Sequence, residues 1–209
     1  MSNSKKFLIW GVIILAVIFL LYLLVQQFSQ PEIKNRDSRG TSIVAFGDSL
    51  VQGVGASAGH DFVSLLSTKI KQPIINLGVS GNTTADGLAR INQVLEAKPK
   101  LVILLLGGND YLKRLPASQT FQNLEQIVNQ IQQAGAMVLL LGIRGGLLTD
   151  NYDDEFAALA RSQQTAFVPN VLDGLLGDDR YISDTIHPNN AGYQKIADKI
   201  EPVLKDLLE

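Results

Sequence analysis

The stretch "IVAFGDSLVQG", Ile43 to Gly53, joins four apolar residues directly to Gly-Asp-Ser. A short apolar run bounded by turn residues is typical of a strand buried on both faces, as in a parallel sheet. We therefore predict a strand over Ser42–Phe46 whose end presents Ser49 at the edge of a sheet. Since Asp and Ser also cap helices, a capping turn is the alternative for this tripeptide.

Similar apolar runs recur along the chain and alternate with helical patterns. We predict buried parallel strands at Ser42–Phe46, Ile74–Leu77, Leu101–Leu106, Met137–Ile143 and Ala166–Val168. We predict helices at approximately Asp61–Lys71, Ala85–Ala97, Ser118–Ala134, Glu155–Thr165 and Ala191–Leu208. Strands that alternate with helices form βαβ units with right-handed crossovers. The predicted fold is therefore α/β, a doubly wound three-layer α/β/α sandwich around a parallel sheet of about five strands.

Composition limits the class of protein. The 209 residues are 46% hydrophobic and carry a net charge of -2, enough apolar material for one globular domain plus an appendage. Because this charge creates no basic field, nucleic acid is not expected as a partner. The chain has no cysteine, which excludes disulfides, thiolate zinc sites and a cysteine nucleophile.

The appendage is the apolar segment Phe7–Val25, about nineteen residues without a charge. As a helix it would span ~28 Å, enough to cross the hydrocarbon core of a bilayer. A cleaved signal peptide is the alternative, but its apolar core would be shorter and an Ala-x-Ala-like site would follow. The next residues, "VQQFSQPE", contain no such site. We therefore predict one N-terminal transmembrane helix within residues 1–25, a linker at 26–40 and a globular domain at 41–209.

The flanking charges leave the membrane orientation open. Lys5 and Lys6 favour a cytoplasmic N-terminus, whereas Lys34, Arg36 and Arg39 lie close enough to count on the other side. We expect a single-pass membrane protein whose domain lies on the periplasmic or extracellular face.

Open parallel sheets bind ligands beyond the carboxyl ends of their strands. Small and polar residues occupy those positions here: "GDS", "GVSGNT", "GGND" and "RGG" follow the first four strands in turn. We therefore predict a site at this rim. The Gly-rich "GVGASAG" does not predict a dinucleotide site, because the second strand ends Asn76-Leu77-Gly78 without the acidic residue that binds ribose.

Hydrolytic acyl transfer at such a rim needs a nucleophile, a base and a group that orients the base. The base is one of two histidines, and we favour His187 because Asp184, three residues earlier, could orient its imidazole. His60 follows a Gly-rich loop and is typical of a capping or surface residue. Ser57 matches the G-x-S-x-G elbow in "GASAG", but it lies well past the strand end, whereas Ser49 ends the strand.

Four short blocks carry a resemblance to a known family. "FGDSL", "NLGVSGNTT", "LGGND" and "DTIHPN" occur in order over residues 41–209. Together they resemble the four blocks of the GDSL, or SGNH, hydrolase superfamily, whose fold is a flavodoxin-like sandwich. The "GGND", the "IR" after the fourth strand and the "DTIHPN" are similar to a bacterial subgroup of multifunctional acyl thioesterases, lysophospholipases and arylesterases.

The resemblance implies a role for each matching residue. Ser49 would be the nucleophile, with Asp184 and His187 completing a catalytic triad. The backbone N–H groups of Ser49 and Gly81 and the side-chain amide of Asn109 would form the oxyanion hole. A turn residue in "GGND" is the alternative for Asn109. No metal and no cofactor are expected.

Substrate preference is less closely specified by the sequence. We predict that Tyr111 and Arg144 bind substrate, with Tyr111 narrowing the acyl pocket. The neighbouring Lys113 and Arg114 could favour anionic head groups. The function implied is a serine esterase acting on acyl esters or thioesters, lysophospholipids included. The alternatives are a carbohydrate O-acetylesterase and a non-catalytic binding module tethered to a membrane.

Overall fold

The structure, a computed structural model, describes residue 10 and residues 13–21, 32–144 and 152–209. Contacts divide the chain into two compact units, Met1–Glu32 and Ile33–Glu209. In the first unit, residue 10 and residues 13–21 are helical. The described ranges contain no helix that is both long and apolar enough to cross a membrane. The predicted transmembrane helix Phe7–Val25 lies partly outside the described residues.

The second unit alternates strands and helices. Its strands are β1 (Ser42–Gly47), β2 (Ile74–Gly78), β3 (Pro99–Leu105), β4 (Met137–Leu141) and β5 (Ala166–Val168). Its helices are α1 (Ser49–Gln52), α2 (Phe62–Ile70), α3 (Thr84–Ala89), α4 (Asn92–Glu96), α5 (Gly108–Leu112), α6 (Ala117–Gln133), α7 (Tyr152–Ser162) and α8 (Asn190–Asp206). All five strands pair in parallel, in the order β2-β1-β3-β4-β5. The predicted five-stranded parallel sheet is confirmed.

Side chains of alternate strand residues separate into two cores. In β1, Ile43 and Ala45 pack with α2 and α8, while Val44 and Phe46 pack with α6 and α7 on the opposite face. This separation follows from the two-residue side-chain period of a strand. Helices therefore cover both faces of the sheet, and the predicted three-layer sandwich is confirmed.

Strand β2 is less buried than predicted. It lies at one edge of the sheet, and Ile75 in it is 41% exposed. A strand of apolar residues is fully buried only where a neighbouring strand lies on each side of it. An edge strand such as β2 has a neighbouring strand on one side only. The prediction of a fully buried second strand was therefore wrong.

The helix predicted over Ala85–Ala97 is two shorter helices, α3 and α4. The backbone leaves helical geometry at Arg90, with φ -112° and ψ 15°, where the side chain turns towards β1 and β2. The hydrogen bonds of Arg90 to the two strands thus interrupt a segment whose sequence pattern is that of one continuous helix. The single-turn helices α1 and α5 were not predicted. α1 lies between Gly47 and Gly53 and α5 begins with Gly108, and glycine is equally typical of turns.

Part of the predicted linker contacts the sandwich. The Asn35 side chain donates hydrogen bonds to the carbonyls of Gln132 and Ala136, at 2.8 and 3.0 Å. Ser38 donates to the carbonyl of Gly135 at 2.6 Å. The three carbonyls lie at the last turn of α6 and in the connection to β4, so these bonds hold residues 33–40 against the domain.

Candidate active site

Ser49 lies at a sharp turn between β1 and α1. Gly47 ends the strand, where an added Cβ would come within 2.2 Å of the Leu105 carbonyl oxygen, so only glycine fits. Asp48 caps α1 by accepting a hydrogen bond from the Leu50 backbone N–H at 3.0 Å. Ser49 is then the first helical residue, with 7% of its surface exposed. The sequence allowed two interpretations of Gly-Asp-Ser, a helix-capping turn or a strand end that presents a serine. The structure contains both.

His187 connects Ser49 to Asp184. Its Nε2 lies 3.0 Å from Ser49 Oγ, and its Nδ1 lies 2.7 Å from Asp184 Oδ2. An ionised carboxylate can only accept hydrogen bonds, so Nδ1 carries the proton and Nε2 is free to accept the serine proton. The three residues thus form a continuous hydrogen-bonded chain.

Asp184 is held as a carboxylate by its own turn. Its Oδ1 accepts the backbone N–H groups of Ile186 and His187, at 2.9 and 2.8 Å. The bond from Ile186, followed by the ring and backbone bonds from His187, lowers the pKa of Asp184 to about 2. At neutral pH the group is therefore ionised and able to stabilise an imidazolium on its neighbour.

Asn109 lies beside Ser49 in the same cleft. Its Nδ2 donates to the Asn82 carbonyl at 2.9 Å and faces Asp48 Oδ2 at 3.4 Å. Gly81, just before Asn82, has φ 79°, and an added Cβ there would meet no atom within 4 Å. Glycine is thus required at this turn by backbone conformation rather than by space. Gly81 is not among the described residues that line the cleft.

Asp48 is buried beneath the site, with 2% of its surface exposed. Burial raises the pKa of its carboxyl to about 6, against the opposing effect of the Leu50 N–H bond. Asp110, equally buried, accepts hydrogen bonds from the backbone and hydroxyl of Thr84. Both carboxyls therefore hold loops of the site together, as acceptors of backbone groups.

The cleft next to Ser49 has an apolar wall. Tyr111 and Arg144 both line it, and Arg144 also pairs with Asp153, Nε to Oδ2, at 3.0 Å. Six aliphatic side chains complete the wall: Leu50, Leu112, Ile143, Leu172, Leu176 and Ile186. Sequence reasoning missed the two leucines that follow β5, because they belong to no motif and reach the cleft only through the fold.

Ser57 and His60 contact one another away from this cleft. Ser57 Oγ lies 3.2 Å from His60 Nδ1 and accepts a hydrogen bond from Asn190 Nδ2 at 2.8 Å. Neither residue is among those described as lining the Ser49 cleft. In the described part of the chain, no group of three or more His, Asp or Glu residues is arranged to hold a metal ion.

Several known proteins are similar to this chain in sequence and in fold. The sequence profile of the GDSL-like Lipase/Acylhydrolase family matches residues 45–195. Esterase TesA of Pseudomonas aeruginosa is 34% identical over 179 residues, covering 80% of this chain and 89% of that protein. Thioesterase 1/protease 1/lysophospholipase L1 of Escherichia coli K12 is 30% identical over 182 residues, covering 83% and 88%. A crystal structure of a protein named TesA, 34% identical, aligns with a TM-score of 0.74 over 80% of this chain and 99% of that one.

Proposed function

The chain belongs to the GDSL-like lipase/acylhydrolase family and is an ester-bond hydrolase, and we propose that it works as a serine esterase through Ser49, His187 and Asp184. The resemblance predicted from the four sequence blocks is confirmed by these matches. The observation that carries the proposal is the hydrogen-bonded chain from Ser49 Oγ through His187 to Asp184.

The reaction proceeds in two steps, acylation of Ser49 and hydrolysis of the acyl-enzyme. Ser49 Oγ attacks the acyl carbonyl carbon while His187 Nε2 takes the serine proton. The resulting tetrahedral oxyanion collapses to an acyl-enzyme, and the alcohol or thiol leaves with the proton that His187 returns. Water then attacks the acyl-enzyme carbonyl while His187 Nε2 takes the water proton. The second tetrahedral oxyanion collapses with cleavage of the acyl–Oγ bond, which releases the carboxylic acid, and His187 returns the proton to Ser49 Oγ. Asp184 remains ionised throughout and stabilises the imidazolium.

The oxyanion is stabilised by the N–H groups of Ser49 and Gly81 and by the Asn109 amide. One Asn109 N–H is engaged at 2.9 Å with the Asn82 carbonyl. The other faces Asp48 Oδ2 across 3.4 Å, a long contact, so this hydrogen is the one available to the substrate. A donor that is in place before charge develops costs no reorganisation during the reaction.

The acyl chain lies against the aliphatic wall of the cleft, and the substrates are acyl esters or thioesters, lysophospholipids included. The wall supports this, because apolar surface leaves water when an alkyl chain binds. The names of the two similar bacterial enzymes support it as well. Tyr111 shapes the acyl pocket, and Arg144 contacts the head group.

Chain-length profiling tests this proposal. The purified full chain is assayed on aryl esters from acetyl to palmitoyl, on acyl-CoA thioesters, on a lysophospholipid and on acetylated oligosaccharides. We expect turnover of butyryl and longer acyl groups, abolished in Ser49→Ala. Turnover confined to acetylated sugars would overturn the proposed substrate class. Activity that survives in Ser49→Ala would overturn the mechanism.

We also propose that Phe7–Val25 is a membrane anchor and that residues 41–209 lie outside the cytoplasm. Span length, the absence of a cleavage site and Lys5–Lys6 support this. Protease added to intact cells should then digest the domain. Digestion only after lysis would show that the orientation is the reverse.

A further inference from the structure

Arg90 makes three hydrogen bonds to three separate parts of the chain. Its Nε donates to Asn82 Oδ1 at 2.6 Å, its Nη1 to the Leu77 carbonyl at 2.9 Å and its Nη2 to the Gly47 carbonyl at 2.7 Å. The guanidinium carbon also lies 4.2 Å from the centroid of the Phe46 ring. The planar fork of arginine is the side chain that can satisfy several acceptors in fixed directions at once.

The three acceptors lie next to the proposed oxyanion donors. Gly47 ends β1 two residues before Ser49. Leu77 lies in β2 one residue before its end at Gly78, after which the loop that contains Gly81 begins. Asn82 directly follows Gly81. Arg90 therefore connects the two chain segments that supply the backbone N–H groups.

The third proposed oxyanion donor, the side-chain amide of Asn109, is linked to Arg90 through Asn82. The Asn82 side chain accepts from Arg90, and its backbone carbonyl accepts from Asn109 Nδ2 at 2.9 Å. A displacement of Asn82 would therefore turn the Asn109 amide as well as the Gly81 N–H. Arg90 itself is not among the described residues that line the cleft.

We propose that Arg90 is a positioning residue that aligns the oxyanion hole, acting through Asn82 without touching the substrate. This inference rests on the proposed function. Oxyanion donors stabilise the transition state only when they lie within hydrogen-bonding distance of the developing charge, so small displacements are costly. The three oxygen acceptors and the Phe46 ring replace the water that the guanidinium loses, which keeps this partly buried cation in place.

Arg90→Met tests the proposal, because methionine keeps packing on Phe46 but donates no hydrogen bond. On a short, soluble aryl ester we expect kcat to fall by about 10²-fold with KM within about twofold. The inhibition constant of a trifluoromethyl ketone, which forms a tetrahedral oxyanion on Ser49, should rise by a similar factor. Arg36→Met is the matched control, since Arg36 bonds to Asp206 on the surface and its loss should leave both constants unchanged.

A double-mutant cycle separates alignment from general stability. If Arg90 acts through the oxyanion hole, Arg90→Met should cost much less in an Asn109→Ala background than in the wild type. Asn82→Ala removes the Nε acceptor but keeps the backbone carbonyl, and should also lower kcat selectively. If Arg90→Met does not fold, the kcat of Asn82→Ala tests the proposal in its place.

A folded Arg90→Met enzyme with wild-type kcat and only a lower melting temperature would overturn the proposal. Full additivity with Asn109→Ala would do the same. Wild type and Ser49→Ala are assayed in parallel, so that a failure of the proposed serine mechanism is recognised separately from a failure of this inference.

Discussion

The imidazole Nε2 of His187 lies 3.0 Å from the hydroxyl of Ser49, although 138 positions separate the two residues in the sequence. Ser49 begins the single-turn helix after the first strand, and His187 precedes the C-terminal helix α8. Tyr193 in α8 ties the two regions together, because its hydroxyl donates to the Val54 carbonyl at 2.8 Å. The packing of α8 against the sheet therefore aligns nucleophile and base.

Ser49→Ala should reduce kcat by several orders of magnitude, because no other hydroxyl in the described residues hydrogen-bonds to His187 Nε2. Ser57→Ala should leave kcat nearly unchanged, since Ser57 pairs with His60 and Asn190 instead. A fluorophosphonate probe provides the measurement. Labelling that persists in Ser49→Ala and disappears in Ser57→Ala would reverse the assignment.

Asn109→Ala should lower kcat by about 10²–10³-fold with KM nearly unchanged, because its donation to the oxyanion strengthens only as charge develops. Steady-state kinetics measures this well below the melting temperature, with folding checked by circular dichroism. If Asn109 only shapes the "GGND" turn, the variant should instead lose roughly 1 kcal/mol of stability. A folded variant with near-wild-type kcat would remove Asn109 from the site.

Asp48→Asn should stabilise the protein at neutral pH. Burial raises the pKa of Asp48 from 3.8 to about 6, so the folded state binds the proton more tightly than the unfolded state. The cost of ionising the buried carboxyl is therefore absent below about pH 4, grows between about pH 4 and 6, and is complete above that. The shift corresponds to a gain of up to about 3 kcal/mol at pH 7.

Urea unfolding at pH 7 and pH 4 measures this effect, and the advantage of the Asp48→Asn variant should vanish at the lower pH. Asp178→Asn is a control of opposite sign, because the Arg180 guanidinium lowers the pKa of Asp178 to about 2. An Asp48→Asn variant less stable than wild type by the same amount at both pH values would contradict the prediction.

Tyr111→Ala should shift the preference towards longer acyl chains. The Tyr111 ring lines the cleft and packs edge-on against Tyr152, with centroids 5.5 Å apart. Removing it enlarges the space beside the aliphatic wall, and kcat/KM for octanoyl relative to acetyl esters should rise about tenfold. Tyr111→Phe keeps the ring and should behave as wild type. An unchanged chain-length profile in Tyr111→Ala would place the acyl chain elsewhere.

Several features followed from sequence patterns because their causes are local. The apolar runs around Val44 in β1 and Ile103 in β3 can be identified without knowing their partners, since the signal is a run of consecutive apolar residues. Strand ends in a parallel sheet converge on one edge, so the four polar blocks could be assigned to a common rim. Asp184 and His187 are three residues apart and share one turn, which made their pairing predictable.

Other features of the fold and the site depend on contacts between segments that are distant in the sequence. A local sequence pattern contains no information about such contacts. Arg90 interrupts a predicted helix because its acceptors lie on β1, β2 and the Asn82 loop. The exposure of Ile75 depends on β2 taking the edge of the sheet, and the apolar wall depends on where Leu172 and Leu176 fall after β5. Residue type and spacing therefore specify the strands, the rim and the chemical groups. Packing across the sheet sets the distances between those groups, because each distance is a balance among hydrogen bonds and buried surfaces from several elements at once.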